Sequence, residues 1–204
     1  MRAFIIGNGP TQANVDLSML TGETTIAMND ITHRLDEFTP TYWMFFDNSF
    51  YRPHMNTISK MQDKGVKLVT ISKDISGAER VVVFGNVSYL AQGKIEFYGR
   101  SPKFSLTRLY SVGSIGYSAL QYAWQKGYRE LYVMGFDSRN PRPKEHYCKN
   151  YTIGNKPGDS LPKDIWGKAY DYANKWIWEH GGEIWDVSHS KSGSFKYKDL
   201  KDIL

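Results

Sequence analysis

Apolar positions come in short runs, separated by longer stretches in which they recur every three or four residues. The runs Ala3–Ile6, Thr25–Met28, Tyr42–Phe46, Lys67–Ile71, Val81–Phe84, Glu96–Tyr98, Leu131–Met134 and Glu183–Val187 predict β-strands. Several are continuous rather than alternating, the pattern of strands covered on both faces. Helical spacing predicts a short helix over Val15–Leu20 and longer ones over Arg52–Lys64, Ile115–Lys126 and Ile165–His180. Gly65, Gly127 and Gly181 follow the three longer helices, and Ser114 and Asp164 stand before two of them as N-caps. Strands interleaved with helices predict an α/β fold, Rossmann-like, with a mostly parallel sheet and helices on both faces. Ligands of such sheets bind beyond the carboxyl ends of the strands.

One stretch breaks the alternation. Residues 138–163 are polar, hold four of the eight prolines, and are long for a connection without structure. The expected organisation is a single Rossmann-like nucleotide-binding domain over 1–204, with 138–163 as a lid-like insertion.

Charge sharpens the picture of that insertion. The 204-residue chain carries 26 Lys+Arg against 21 Asp+Glu, a formal +5. Residues 1–100 balance at ten basic and ten acidic groups, so the excess lies wholly in the second half. Within 138–163 alone, Arg139, Arg142, Lys144, Lys149, Lys156 and Lys163 face only Glu145 and Asp159. This is the charge of a phosphate-facing lid first, and of a general polyanion surface second. Hydrophobic residues at 41% and charged ones at 23% exclude wholesale disorder. Cys148 is the one cysteine, so neither an internal disulfide nor a multi-cysteine metal site is available. The short apolar start and the lack of any long apolar run predict a cytoplasmic chain without an integral membrane segment.

Candidate chemistry collects at two glycine-bearing turns. Gly7-Asn8-Gly9-Pro10-Thr11 follows the first strand and leads into a helix. Glycines there let the backbone approach a phosphate, and a helix N-terminus adds positive potential. Without a ligand, the same turn is a tight strand-to-helix connection. The dinucleotide fingerprint is not completed, because Gln12 takes its third glycine position. Asn29 stands where a nicotinamide enzyme carries its carboxylate, which argues against a dehydrogenase. In the second segment, Ser114 and Gly116 open a helix and can offer a hydroxyl and amides to an anion. Asp137 closes the following strand on the edge where Gly7–Thr11 should lie.

Histidines are the natural proton acceptors. His146, with Tyr147 beside it and Tyr151 nearby, lies in the 138–163 stretch; His189, after the last predicted strand, is the second candidate base. An imidazole of ordinary pKa, ~6.5, accepts a hydroxyl proton at neutral pH, and phenols can donate to a departing phosphate. His180 closes a helix and reads as a C-terminal cap. No metal-ligand spacing and no D-x-D pair occurs. The aromatic load of 15%, including Trp124, Trp166, Trp176, Trp178 and Trp185, is expected mostly in the core.

The segments IIGNGPT, AMND and GSIGYSALQYAWQKGYRELYVMGFD resemble the Campylobacter-type bacterial sialyltransferases. They also resemble a wider superfamily of Rossmann-like proteins that includes hydroxymethylpterin diphosphokinases. The resemblance covers residues 2–30 and 111–137, and elsewhere only the order of elements. It implies a cytidine-nucleotide site built from Asn8, Thr11 and Asn29. Asp47 or Asn48 would stand at the place of a third asparagine, and Ser114 and Gly116 at that of a Ser-Gly pair. It also implies a lid histidine as base and lid tyrosines facing the leaving phosphate, which places those roles on His146, Tyr147 and Tyr151. The lid here is shorter than in those enzymes, and the spacing around its histidine differs.

The resulting expectation is a metal-independent glycosyltransferase with no resident cofactor. It would move a sugar from a nucleotide-activated donor, CMP-linked by preference, to a hydroxyl of a glycan or other acceptor. Its nucleotide-facing residues would be Gly7, Asn8, Gly9, Thr11, Asn29, Asp47, Asn48, Ser114, Gly116 and Asp137. One alternative is an ATP- and Mg²⁺-dependent diphosphokinase with Asp47 and Asp137 on the metal. Others are a sugar transferase acting on nucleic acid and a non-catalytic nucleotide or nucleic-acid binder. Sugar, acceptor and oligomeric state stay open.

Overall fold

The computed structural model describes residues 1–85, 87–89, 95–97, 108–112, 114–137, 163–189 and 193–204. Eight strands form one sheet, in the spatial order 196–197, 183–186, 130–134, 2–6, 25–28, 42–45, 67–70 and 79–80. They are β1 (Arg2–Ile6), β2 (Thr25–Met28), β3 (Tyr42–Phe45), β4 (Lys67–Thr70), β5 (Glu79–Arg80), β10 (Glu130–Met134), β11 (Glu183–Asp186) and β12 (Lys196–Tyr197). Every pairing in this sheet is parallel. Beside it lie two small pairs. In one, β6 (Val83–Gly85) runs parallel to β9 (Leu109–Ser111); in the other, β7 (Val87–Tyr89) runs antiparallel to β8 (Ile95–Phe97).

The period of two along each strand sorts its side chains between two cores. Ala3 and Ile5 of β1, Ile26 and Met28 of β2, and Leu131 and Val133 of β10 face one cluster. Two longer helices close it, α3 (Ile115–Gln125) and α4 (Lys163–Glu179). Phe4, Ile6, Ala27, Trp43, Phe45 and Met134 face the other. That side is covered by α1 (Asn48–Tyr51), α2 (Met55–Asp63) and short 3-10 turns. Both faces are dry, which is why the strands read as unbroken apolar runs.

The mostly parallel α/β architecture therefore stands, with corrections of detail. Val15–Leu20 is no α-helix: the region forms 3-10 turns over Pro10–Asn14 and Leu17–Leu20. Arg52–Lys64 is a 3-10 turn over Arg52–His54 followed by α2. Asp164 lies inside α4 rather than before it. Val81–Phe84 is divided: the main sheet ends at β5, Val82 is exposed, and Val83 begins β6 in another sheet. Glu96–Tyr98 corresponds to β8, which pairs outside the main sheet. Of the five tryptophans expected mainly in the core, Trp124 is buried, Trp166, Trp176 and Trp185 are partly buried and packed against the two cores, and Trp178 is 40% exposed. The lid-like stretch falls outside the described residues up to Lys163, where α4 begins. Among the described residues, no helix is long and apolar enough to cross a membrane.

The strand order places a switch point between β1 and β10. From β1 the chain winds outward through β2 to β5, and from β10 it winds the other way through β11 to β12. A crevice at the carboxyl ends of such a pair is where open α/β sheets bind ligands.

Candidate functional site

Because the strands are parallel, the residues at their carboxyl ends share one edge. Gly7–Thr11 come after β1, Asn29 after β2, Asp47 and Asn48 after β3, Gly135–Asp137 after β10, and Ser188 and His189 after β11. Helix α3 precedes β10 and brings Ser114 and Gly116 to that edge. Gly116 lies so close to Phe136 that an added Cβ would stand 3.0 Å from its ring. An open polar depression of about 460 Å³, lined in part by Gly22, Glu23, Thr39 and Lys64, sits at the opposite edge and holds none of the candidates.

The glycine turn is engaged with the end of β10. The Gly7 amide donates to the Met134 carbonyl at 2.8 Å and the Gly9 amide to that of Gly135 at 2.9 Å. A Cβ on Gly7 would lie 2.7 Å from the Gly135 oxygen, and one on Gly9 would collide with the Asp137 carboxylate. These glycines let the turn close onto the end of β10, with their amides spent on that contact. The segment after the turn is only a five-residue 3-10 helix, so no long helix points its N-terminus at this place. Asn8 binds the turn to the other neighbour, donating from Nδ2 to the Met28 carbonyl at 2.8 Å.

Asn29 adopts φ +42°, donates its amide to the Met44 carbonyl at 2.9 Å, and accepts from Trp43 Nε1 at 2.8 Å. Its backbone thereby clasps the ends of β2 and β3. Asp47 is half-buried, and its carbonyl accepts the amides of Phe50 and Tyr51. Asp47 and Asp137 lie three strand spacings apart, about 14 Å at ~4.8 Å each, so the edge does not bring them onto one ion. No group of metal-binding side chains occurs among the described residues.

Ser114 takes the N-cap position of α3 but makes no side-chain cap there. Its hydroxyl instead lies 2.7 Å from that of Tyr170 on α4. Burial pushes the Tyr170 phenol up to about 12, against the opposing pull of the Ser114 hydrogen bond. Gly116 leaves room for that phenol, since a Cβ there would stand 2.6 Å from the Tyr170 oxygen. The Ser114 hydroxyl and the Gly116 backbone thus take part in helix-to-helix packing at this edge.

The densest polar contact joins three chain segments. Thr11 donates its amide to Asp137 Oδ2 at 3.0 Å, and its hydroxyl lies 2.9 and 2.8 Å from the two carboxylate oxygens. The same hydroxyl is 3.1 Å from Ser188 Oγ. Ser188 is fully buried, accepts the Gly135 amide at 3.2 Å, and donates both amide and hydroxyl to Asp186 Oδ1 at 2.8 and 2.9 Å. Asp137 is held above the ordinary carboxylate range, first by burial and then by the neighbouring Asp186 charge, while the Thr11 hydrogen bonds pull it down. Asp186 and Ser188 are not among the nucleotide-facing positions expected from the sequence. The signal available for them is a short polar stretch, Asp186–Ser190, closing an apolar strand.

His189 reaches the same edge with φ +55°, exposed, its ring stacked on Tyr197 at 3.7 Å between centroids. His180 does cap its helix, with Nδ1 2.7 Å from the Trp176 carbonyl. His146, Tyr147 and Tyr151 lie outside the described residues, as does the side chain of Asn48. Arg34 is a further residue that the sequence did not mark. It is buried, and it donates to the carbonyls of Gln12 at 3.3 Å and Val15 at 2.8 Å, fastening the segment after the glycine turn.

No family model and no curated protein matches the chain. Among solved structures, the sialyltransferase CstII from Campylobacter jejuni, determined in complex with the substrate analogue cytidine-5'-monophosphate, is similar with a TM-score of 0.52. The likeness covers 96% of this chain and 83% of that one at 13% identity, and what it shows is a shared sialyltransferase-like fold.

Proposed function

We propose that this protein is a glycosyltransferase that takes a sugar from a nucleotide-activated donor, CMP-linked by preference, and passes it to an acceptor hydroxyl. The observation that carries the reading is the gathering of Asn8, Thr11, Asn29 and Asp137 at the switch-point edge of a fold shared with a CMP-bound sialyltransferase. In this reading the nucleotide lies across the ends of β10, β1, β2 and β3, and the basic 138–163 stretch covers it. His146 takes the proton of the acceptor hydroxyl. The acceptor oxygen bonds to the anomeric carbon as the bond from that carbon to the phosphate oxygen breaks. CMP leaves with the electron pair, its charge met by Tyr147, Tyr151 and the lid cations.

The first test is thermal stabilisation by CMP, UDP, GDP and ATP, the last with and without Mg²⁺, since a ligand of the native state alone raises the melting point. The reading expects a shift with CMP that survives EDTA. A shift confined to ATP with Mg²⁺ would replace it by phosphoryl transfer.

A further inference from the structure

The contacts between Asp137, Thr11, Ser188 and Asp186 pose a question of proton count. Three oxygen–oxygen contacts run in a line: Asp137 to Thr11 at 2.8–2.9 Å, Thr11 to Ser188 at 3.1 Å, and Ser188 to Asp186 at 2.9 Å. Two hydroxyl protons cannot fill three contacts. With both carboxylates ionised, one pair of oxygens must face each other through lone pairs alone.

The amides decide where the third proton sits. Asp186 Oδ1 accepts two donors from Ser188, its amide and its hydroxyl, so the Ser188 proton is committed to that contact. Asp137 Oδ2 accepts the Thr11 amide, which leaves Oδ1, 2.9 Å from the Thr11 hydroxyl, as the oxygen able to carry a proton. A chain then runs in one direction, from the Asp137 acid to Thr11, to Ser188, to Asp186, with a proton in every contact. Among the described residues, Asp186 is the charged group set against Asp137; the β1 turn brings Gly9, Pro10 and Thr11, none of which titrates. Tyr170 lies behind Phe136, and its hydroxyl is turned to Ser114.

We propose that Asp186 and Ser188 are positioning residues of the donor site, fixing the glycine turn through a directed chain in which Asp137 holds the proton that Thr11 needs to reach Ser188. Neither residue touches substrate in this role. They act on the orientation of Thr11 and on the closure of Gly7–Thr11 against β10. The role in donor binding rests on the reading of this edge as the nucleotide site; the chain itself does not.

Two measurements separate these. The Asp137 carboxyl carbon, assigned by comparison with Asp137→Asn, is followed by NMR across pH, together with amide exchange at Thr11 and Gly135 corrected for intrinsic base catalysis. The chain expects Asp137 to titrate above the ordinary range and Asp186→Asn to bring that titration down. Protection of the Gly135 amide should fall as Asp137 loses its proton and Thr11 turns its hydroxyl from Ser188 to the carboxylate, while the Thr11 amide, bonded to that carboxylate, should stay protected. Ser188→Ala should speed Thr11 exchange roughly five- to tenfold, as the loss of one hydrogen bond does. If that variant does not fold, Thr11→Val against Thr11→Ser asks the same question, the serine retaining protection and the valine losing it. Asp137→Asn, with an N–H in place of the acid O–H, should hold its protection unchanged across pH. An Asp137 that titrates in the ordinary range and ignores Asp186→Asn overturns the chain. CMP affinity, read by calorimetry on the same variants, should weaken with Thr11 protection. Wild-type protein that binds no CMP overturns the donor site and, with it, the positioning role, whatever the titration shows.

Discussion

Gly7 and Gly135 meet backbone to backbone, so that a Cβ on Gly7 would stand 2.7 Å from the Gly135 carbonyl oxygen. A Cβ does not come that close to another heavy atom, and the obstacle is main chain rather than a flexible tip. Gly7→Ala must therefore prise the turn away from β10, breaking the hydrogen bonds that the Gly7 and Gly9 amides donate to the Met134 and Gly135 carbonyls. A loss of about 2–4 kcal/mol is expected in denaturant unfolding. Gly9→Ala should cost at least as much, since its Cβ also meets the Asp137 carboxylate. Wild-type stability in either variant would show that the turn closes differently.

Gly116 and Tyr170 make a second such pair, but here the obstacle is a side-chain oxygen. Gly116→Ala sets a Cβ 2.6 Å from that oxygen and 3.0 Å from Phe136. Tyr170→Phe alone removes the hydrogen bond to Ser114, a loss of about 1 kcal/mol. In the double variant the clash with the phenol is gone, so the two losses should fall short of additivity by about 1 kcal/mol. Strict additivity in a double-mutant cycle would mean that the two residues do not meet.

These pairs also indicate what was legible in the sequence. Strands β1, β2, β3, β4, β10 and β11 fall within a residue of the predicted runs, because a strand buried on both faces must be apolar throughout. The residues gathered on one sheet edge were legible too, since parallel strands all end at the same side. The two-residue strands β5 and β12 were not, as neither is long enough to show a pattern. The glycine turn stayed open to two readings for a different reason. Glycine permits close approach, and the sequence does not say whether a phosphate or the neighbouring strand is the partner. Ser188 was hidden because its role depends on Thr11, 177 positions away.

Arg34 reaches the same turn from outside. It is 4% exposed, pairs with Glu37, and donates to the carbonyls of Gln12 and Val15. Arg34→Met keeps much of the apolar stem but leaves those carbonyls without their cation. A loss of about 2–3 kcal/mol is expected in chemical denaturation, and Arg34→Lys should recover only part of it, lacking the planar fork. Full recovery by lysine would mean that charge alone matters there.

His146 supplies the test of chemistry. Single-turnover transfer from a CMP-sugar should fall by about 10²–10⁴-fold in His146→Ala, the usual contribution of a positioned acid–base group. CMP affinity should stay within a factor of about two, because the imidazole acts on the acceptor. Unchanged turnover would move the role elsewhere, with His189 next in line at the same sheet edge.

Asp137 adds a pH dependence of its own to the fold. Its carboxyl titrates above the ordinary range in the folded chain, through burial first and the Asp186 charge after it. In the unfolded chain it returns to ~3.9. The folded state therefore keeps a proton that the unfolded state has already lost. The resulting stability is fully present below the unfolded value and declines as pH rises through the folded one. Most carboxylates that gain a cationic partner on folding behave in the opposite way. Compared with Asp137→Asn, whose side chain does not titrate, the wild-type protein should be relatively most stable on the acid side. That advantage should shrink with rising pH and level off once Asp137 is ionised. Melting curves of the two proteins from pH 3.5 to 8 measure this difference directly. A gap that widens in favour of the wild type with rising pH would place a cation, rather than Asp186, against this carboxyl.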